Sequence, residues 1–540
     1  MRTTPQPDGT SVAWTRAVPE PQAYGLQFPQ RRNLWLWFSL HRGAVVGAVA
    51  LFALLFCLQG AVRQLPLPSN MDEFSVLLAA DTFTHGRVTN PTHPMWVHFE
   101  SLHVLMKPSY TSKYPPGPAL FLALGERVFG TPIWGVWLST VLACAAVTWM
   151  LMGWLPVRWA MLGGALAAVQ SIVVAWSQFY LCCNLGVLGG ALLLGAAKRL
   201  ERRPRMRDAV LLALAMIVLG NTRPYEGAAL SLAAIVWLMW RADRVALRRV
   251  MVPALGLLLA GAALMGYYNR RVTGAAWRLP YVEHLRQYDM APSFWLQRPR
   301  HMPEYRHENL FLFHQWELDS YNDIRARDGA EILLKRPLIL VWWVGDFVAL
   351  ATLAVLPVLR QRRLRPVLLL CAAFFTALLF PTWLNSNYIS PGLPLYFLLL
   401  TLGLRRLSCL RLPGTSFPAG PLVVAALALA AFLLAIRDPH PIELNDSNYG
   451  YLRAQMIQDL KQQGGQHLVL VRYTTSHDKA EEWIYNDAEI DASAVVWAHD
   501  MGTAWNRELL DYYPARRVWL LNADARPLRL APYTMPNELR

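Results

Sequence analysis

Charge is scarce in this chain. Asp, Glu, Lys and Arg make up 16% of its 540 residues against 54% hydrophobic, a balance outside the range of an ordinary soluble domain. Cysteine is scarce too. Cys57, Cys144, Cys182, Cys183, Cys371 and Cys409 lie in or beside apolar segments without metal-ligand spacing, which argues against a disulfide framework and a cysteine metal centre. No convincing internal repeat of the kind transporters show is present. No small-residue cleavage site follows the first apolar segment, so that segment reads as an uncleaved anchor.

Long apolar runs are what the chain has in quantity. Stretches at 43–62, 132–153, 159–177, 179–197, 209–221, 225–240, 250–268, 337–358, 366–383, 389–404 and 418–436 predict a mainly α, polytopic membrane protein of about eleven spans. The run 116–129 is short and carries Glu126 and Arg127, which predicts an interfacial helix instead of a twelfth span. Basic residues cluster on alternate connections: Arg31, Arg32 and Arg42; Lys198 to Arg207; Arg241 to Arg249; Arg360 to Arg365; Arg405, Arg406 and Arg411. Because Lys and Arg mark short cytoplasmic loops, the N-terminus is expected inside and the C-terminus outside. The net charge of +15 then reflects topology and contact with anionic membrane lipids, and nucleic acid is a poor explanation for it.

This reading gives a cytoplasmic segment 1–42, a membrane domain 43–436 with external loops 63–131 and 269–336, and an external domain 437–540. In the last, 467–473, 494–499 and 517–521 read as strands and 504–513 as a helix, the order of a small α/β unit.

The external loops hold most of the polar chemistry. Asp72 and Glu73 stand side by side ten residues beyond the first span, where one carboxylate can act as general base and its neighbour can assist it. The competing reading is a helix start capped by Ser69 or Asn70, whose first turn favours acids. Asp81 follows, and then Ser112-Lys113-Tyr114-Pro115-Pro116-Gly117 leads into the apolar run at 116–129.

This arrangement, an acidic pair after the first span followed by a basic Pro-rich motif, resembles the C-type glycosyltransferase superfamily of membrane enzymes, which includes protein O-mannosyltransferases and aminoarabinose transferases. The resemblance covers roughly residues 40–436 and is nearest to bacterial members. It implies a bacterial plasma-membrane enzyme that takes a sugar from a polyprenyl-phosphate donor to a hydroxyl on a glycan, lipid or protein, without a certain cofactor; a divalent metal serves only some members. Asp72 is then the expected base, assisted by Glu73, and Lys113 the expected partner of the departing phosphate, where cationic charge favours the transition state. The competing reading of Lys113 is a snorkelling interfacial lysine.

Asn221-Thr222-Arg223-Pro224-Tyr225-Glu226-Gly227 is a second polar motif. The apolar run before it is too short to span the hydrocarbon core, so the turn is expected below the outer surface, where charge is tolerated inside protein or a wet cavity. Arg223 joins Lys113 as an expected phosphate contact, with an Arg223–Glu226 ion pair as the competing reading. The loop 269–336 is dense in Arg, His and aromatics and contributes Arg271. Asp81, Tyr114, Tyr225, Glu226 and Tyr388 complete the expected cavity. Relatives have a basic or His residue near the last of these, where this chain has Asn387. His85, His93, His98 and His103 with Glu100 match no compact metal motif and read as interfacial, so no metal ligand is expected. Asp346 is the clearest acid within a span. It is the feature that a rival reading, a transporter or flippase of lipid-linked saccharides, would use. A polymerase or ligase of lipid-carried glycans would lack the early acidic pair.

Overall fold

The computed structural model describes residues 41–62, 65–327, 329–345, 347–358, 364–412, 414, 416–437 and 449–534. Asp346, the segment before residue 41 and the arginines at 360, 362 and 363 lie outside the described residues.

Apolar periodicity produces a largely helical chain. The first half runs α1 (Arg42–Ala61), α2 (Met71–Thr84), a two-stranded hairpin β1 (Val104–Leu105) and β2 (Thr111–Ser112), α3 (Pro116–Phe129), α4 (Ile133–Leu151), α5 (Val157–Val169), α6 (Ser171–Trp176), α7 (Asn184–Arg202), α8 (Met206–Gly220), α9 (Pro224–Arg241) and α10 (Arg244–Thr273). Then follow α11 (Pro280–Gln287), α12 (Glu308–Ala326), α13 (Gly329–Val344), α14 (Arg365–Leu378), α15 (Leu393–Leu407) and α16 (Ala419–Arg437). By length and composition four of these, α1, α4, α10 and α16, are long and apolar enough to cross a membrane. The other expected spans fall on helices that are shorter, interrupted or, as in α7 and α9, long enough but less apolar, so helix length and composition do not fix eleven crossings. At 14 residues, α3 rises only about 21 Å, and it packs between α2 and α4.

The interruptions position polar groups. The run 159–177 is broken at Gln170, which is extended between α5 and α6 and donates from Nε2 to Val344 O at 3.4 Å. Backbone freed in this way is tolerated inside protein. On α7, glycines bring the chain before α15 close, since a Cβ on Gly190 would lie 1.9 Å from Pro391 O. Small residues of this kind let membrane helices approach closely.

Residues 449–534 form α17 (Tyr449–Gln463), β3 (His467–Arg472), β4 (Val495–His499), α18 (Thr503–Tyr512), β5 (Arg517–Asn522) and β6 (Leu530–Pro532). The sheet order is β4-β3-β5-β6, with the first three strands parallel and β6 antiparallel. Leu468 to Val471 are fully buried in β3, as a central parallel strand requires.

Three environments meet on α2. Val76, Ala79 and Ala80 join the core of the membrane helices. Phe74 and Leu78 join the core of the C-terminal unit, where Phe74 stacks on Tyr485 at 4.5 Å. Asp72 and Ser75, one turn apart, face the hairpin, where Ser75 Oγ lies 2.6 Å from His103 O and 2.7 Å from Ser112 Oγ.

Candidate active site

The acidic pair opens α2, and its two members point to different partners. Asn70 caps the helix, its Oδ1 accepting from Asp72 N at 3.0 Å and Glu73 N at 3.2 Å. Glu73 returns the cap: its Oε2 accepts from Ser69 N at 2.8 Å and from Asn70 Nδ2 at 3.2 Å. Its Oε1 accepts from Tyr180 N at 2.9 Å, in the loop after the broken helix. Burial pushes the Glu73 carboxyl up to about 7 against these donors. Glu73 thus occupies a capping and tethering position, with Asp72 on the open side.

Asp72 keeps 24% of its side chain exposed. Its Oδ1 accepts from His103 Nδ1 at 2.6 Å and from the Tyr114 hydroxyl. Burial raises the Asp72 carboxyl, but the bonds from His103 and Tyr114 and the charge of Lys113 prevail and hold it well below the usual carboxylate range. An ionised carboxylate only accepts, so His103 Nδ1 is the donor. Burial, helped by the Lys113 charge and opposed by Asp72, pushes the His103 imidazole down. His103 has a left-handed φ of 63°, a conformation that persists where neighbours over-determine it. Its carbonyl accepts from Ser75 Oγ at 2.6 Å and Lys113 N at 3.2 Å.

Lys113 is 6% exposed. Its Nζ lies 5.6 Å from the Tyr114 ring centroid and 5.3 Å from that of Tyr281, with no hydrogen bond or ion pair among the described residues. Burial lowers its ammonium, while the charges of Asp289, Asp72 and Glu317 act to raise it. A cation with aromatic walls and no anionic partner in contact among the described residues has the chemistry to accept an anion.

The polar turn between α8 and α9 lies beside this motif. Gly117 N donates to Asn221 O at 2.9 Å, and a Cβ on Gly117 would meet that oxygen at 2.4 Å. Arg223 stands at the N-cap position of α9, without a side-chain capping bond, and Pro224 follows it, a favoured first helical residue. The guanidinium carbon lies 5.1 Å from the Tyr388 ring centroid. Among the described residues Arg223 and Glu226 form no ion pair within 4.0 Å, although each lies within the other's electrostatic influence.

Other expected residues lie apart. Arg271 is exposed on the last turn of α10. Asp81 clasps the C-terminal unit, its Oδ2 accepting from Ala488 N at 2.7 Å. Tyr225 donates to Ala377 O at 2.9 Å, between helices. The four histidines of the first loop go separate ways: His85 to Asp81, His93 to Asp491 at 3.0 Å, His98 toward His499 O at 3.4 Å, and His103 to Asp72. A surface recess of about 500 Å³ lies between Trp316 and residues 475–480 and is not lined by Asp72 or its partners.

Sequence reasoning missed a group next to this site. Asp289, His314 and Glu317, none of them an expected ligand, bring one ligand atom each within 4.8 Å of one another. The readable signal was His314-x-x-Glu317 on one face of a helix. Asp289 lies 25 residues earlier in irregular chain, where no spacing rule applies.

In sequence, no family model and no curated protein matches this chain. In structure, the apo oligosaccharyltransferase of Archaeoglobus fulgidus aligns with 88% of this chain and 69% of its own at 11% identity and a TM-score of 0.50. ArnT from Cupriavidus metallidurans in the apo state covers 91% of this chain and 93% of its own at 13% identity and a TM-score of 0.48. The arabinofuranosyltransferase AftD from Mycobacteria covers 80% of this chain and 29% of its own at 14% identity and a TM-score of 0.38. All three are C-type membrane glycosyltransferases. At these identities likeness speaks to fold alone, and the first pairing carries it. The chain has the fold of a C-type membrane glycosyltransferase.

Proposed function

We propose that the protein transfers a sugar from a polyprenyl-phosphate donor to an acceptor hydroxyl at the external face of a bacterial plasma membrane, inverting the anomeric carbon. The observation that carries this reading is the pairing of a largely buried, ionised Asp72 that keeps one exposed edge, oriented by His103 and Tyr114, with the buried ammonium of Lys113 on the same hairpin, which has no ion-pair partner among the described residues. Such a pair suits a displacement in which a hydroxyl loses a proton on one side of the reacting carbon and a phosphate gains charge on the other.

In this mechanism the acceptor oxygen bonds to the anomeric carbon as the carbon–oxygen bond to phosphate breaks. The electron pair leaves with the polyprenyl phosphate, and the acceptor proton passes to Asp72. A single displacement inverts the centre. Because His103 and Tyr114 keep the Asp72 carboxyl below its ordinary range, it is a weak base toward a free alcohol, and proton loss comes late, when the new bond has acidified the hydroxyl. Lys113 and Arg223 hold the phosphate, while Tyr114, Tyr388 and Glu226 line the sugar side. Glu73 acts by fixing the start of α2. Glycan, lipid or protein acceptors are all compatible with this arrangement.

The test is single-turnover transfer from a synthetic polyprenyl-phosphate sugar in detergent or nanodiscs. Asp72→Asn keeps the shape and removes the proton acceptor, and should lower the rate about a hundredfold to ten-thousandfold. A wild-type rate in that variant would remove Asp72 from the mechanism. Movement of an intact lipid-linked saccharide across sealed vesicles without sugar release would instead favour transport, the reading to which the broken α5–α6 segment lends itself.

A further inference from the structure

Beyond the transfer site, the external loop carries two carboxylates and two imidazoles packed as one group. Asp289 is 8% exposed and His314 is 2% exposed. His314 Nδ1 lies 2.8 Å from Glu317 Oε2 and 3.8 Å from Asp289 Oδ1. On the far side of Asp289, His284 Nδ1 approaches the same Oδ1 at 3.0 Å. Neither of these two buried atoms makes a hydrogen bond of acceptable geometry among the described residues. A buried carboxylate oxygen without a well-formed hydrogen bond is costly, and this one, ion-paired with His284, also lies within 4.8 Å of a ligand atom from a second carboxylate and a second imidazole.

We propose that Asp289, His314 and Glu317 bind one divalent transition-metal ion, with His284 holding Asp289 in its ligating orientation. One imidazole nitrogen and two carboxylate oxygens form a mixed set that suits Zn²⁺ or Mn²⁺ better than the all-oxygen preference of Ca²⁺ or Mg²⁺. The ion replaces the His314–Glu317 hydrogen bond with two metal–ligand bonds and gives Asp289 Oδ1 a second charged partner beside His284. Three protein ligands leave a coordination position for water. The ion also ties α12 to the chain after α11, and so fixes the outer wall of the site: the His284 ring lies 6.0 Å from that of His103, and Phe313, beside His314, lies 5.9 Å from it. This inference stands on the ligand geometry and does not require the sugar-transfer reading.

The experiment is metal analysis and thermal unfolding of the full-length purified chain after stripping with chelator and titration with Zn²⁺ or Mn²⁺. One ion per chain and a higher unfolding temperature with metal are expected. Asp289→Asn and Glu317→Gln, which preserve side-chain shape, should each weaken binding at least tenfold, and His284→Gln should weaken it about ten- to a hundredfold, as outer-shell partners do. Absence of stoichiometric metal and of any shift in the wild-type chain would overturn the proposal. An unchanged affinity in both Asp289→Asn and Glu317→Gln would overturn it equally, by placing the ion elsewhere.

Discussion

Two regions of this molecule set histidines against carboxylates, and they differ in what is left unsatisfied. One is the seam where the C-terminal unit docks. There His93 meets Asp491 at 3.0 Å, His499 Nε2 meets Glu100 O at 2.8 Å, His307 Nε2 meets Val97 O at 2.7 Å, and the His307 and His499 rings stack at 3.8 Å. The other is the group around Asp72, where Lys113 has aromatic neighbours but no anion in contact among the described residues, and the carboxylate keeps an exposed edge. In the seam the paired histidines find protein partners, which fastens two surfaces, although Glu100 Oε2 and His98 Nε2 make no hydrogen bond among the described residues; at Asp72 an exposed carboxylate edge and a cation without a contacting anion remain, which suits a ligand. Residue type alone does not separate the two. Partner accounting does.

The sharpest way to break that comparison is at Lys113. If its ammonium is kept for charge developing on a phosphate, Lys113→Ala should lower single-turnover rates by about a hundredfold to a thousandfold, the cost of one preorganised donor at a developing anion. Donor affinity should fall much less, because an interaction strongest in the transition state acts on turnover. Lys113→Arg should restore part of the rate, limited because a planar fork does not reproduce a point charge. Equal losses in rate and affinity would make Lys113 a ground-state anchor, and no loss would return it to the class of interfacial lysines.

A smaller effect is expected at Gly117, which touches no substrate in this reading. Its Cβ would fall 2.4 Å from Asn221 O, a backbone atom, so Gly117→Ala must push the Lys113 motif away from the Arg223 turn. About a tenfold loss of turnover is expected, since misplacement by an ångström far from the chemistry is enough for such losses. Expression and unfolding temperature, measured alongside, should change only modestly. A wild-type rate would mean that Lys113 and Arg223 do not act on one phosphate.

How much of this was legible in the sequence depends on the range of the signal. Helices announced by apolar periodicity and the strands at 467–472, 495–499 and 517–522 follow local pattern, and they lie close to where that pattern puts them. Asn70 as cap was equally local. The division of labour between Asp72 and Glu73 was not, because it depends on His103, 31 residues on, and on Tyr180, 107 residues on. Asp81 reads as a cavity acid from its neighbours, yet its partner Ala488 is 407 residues away. The metal-ligand group stayed hidden for the same reason. Contacts that long are set by packing, and no spacing rule encodes them.

The smallest effect tests the seam itself. Glu100 is 2% exposed, with Oε1 accepting from the Tyr288 hydroxyl at 3.2 Å and Oε2 without a hydrogen bond among the described residues. Burial pushes its carboxyl up to about 7, against the charge of Arg306, the bond from Tyr288 and the charge of Lys107. From the ordinary 4.5 up to about 7, the folded chain holds a proton that the unfolded chain has released. Stability therefore falls as pH rises through this window, and above it the loss is complete. Glu100→Gln keeps the neutral shape and removes this dependence. It should match the wild-type unfolding temperature near pH 5 and exceed it by a few degrees near pH 8, from at most about 3 kcal/mol. Glu73, also raised to about 7, adds the same slope to both proteins and cancels in the difference. Parallel pH curves for the two proteins would show that Arg306, 3.6 Å from the carboxylate, already keeps Glu100 ionised, and the seam would then hold a buried ion pair in place of a neutral acid.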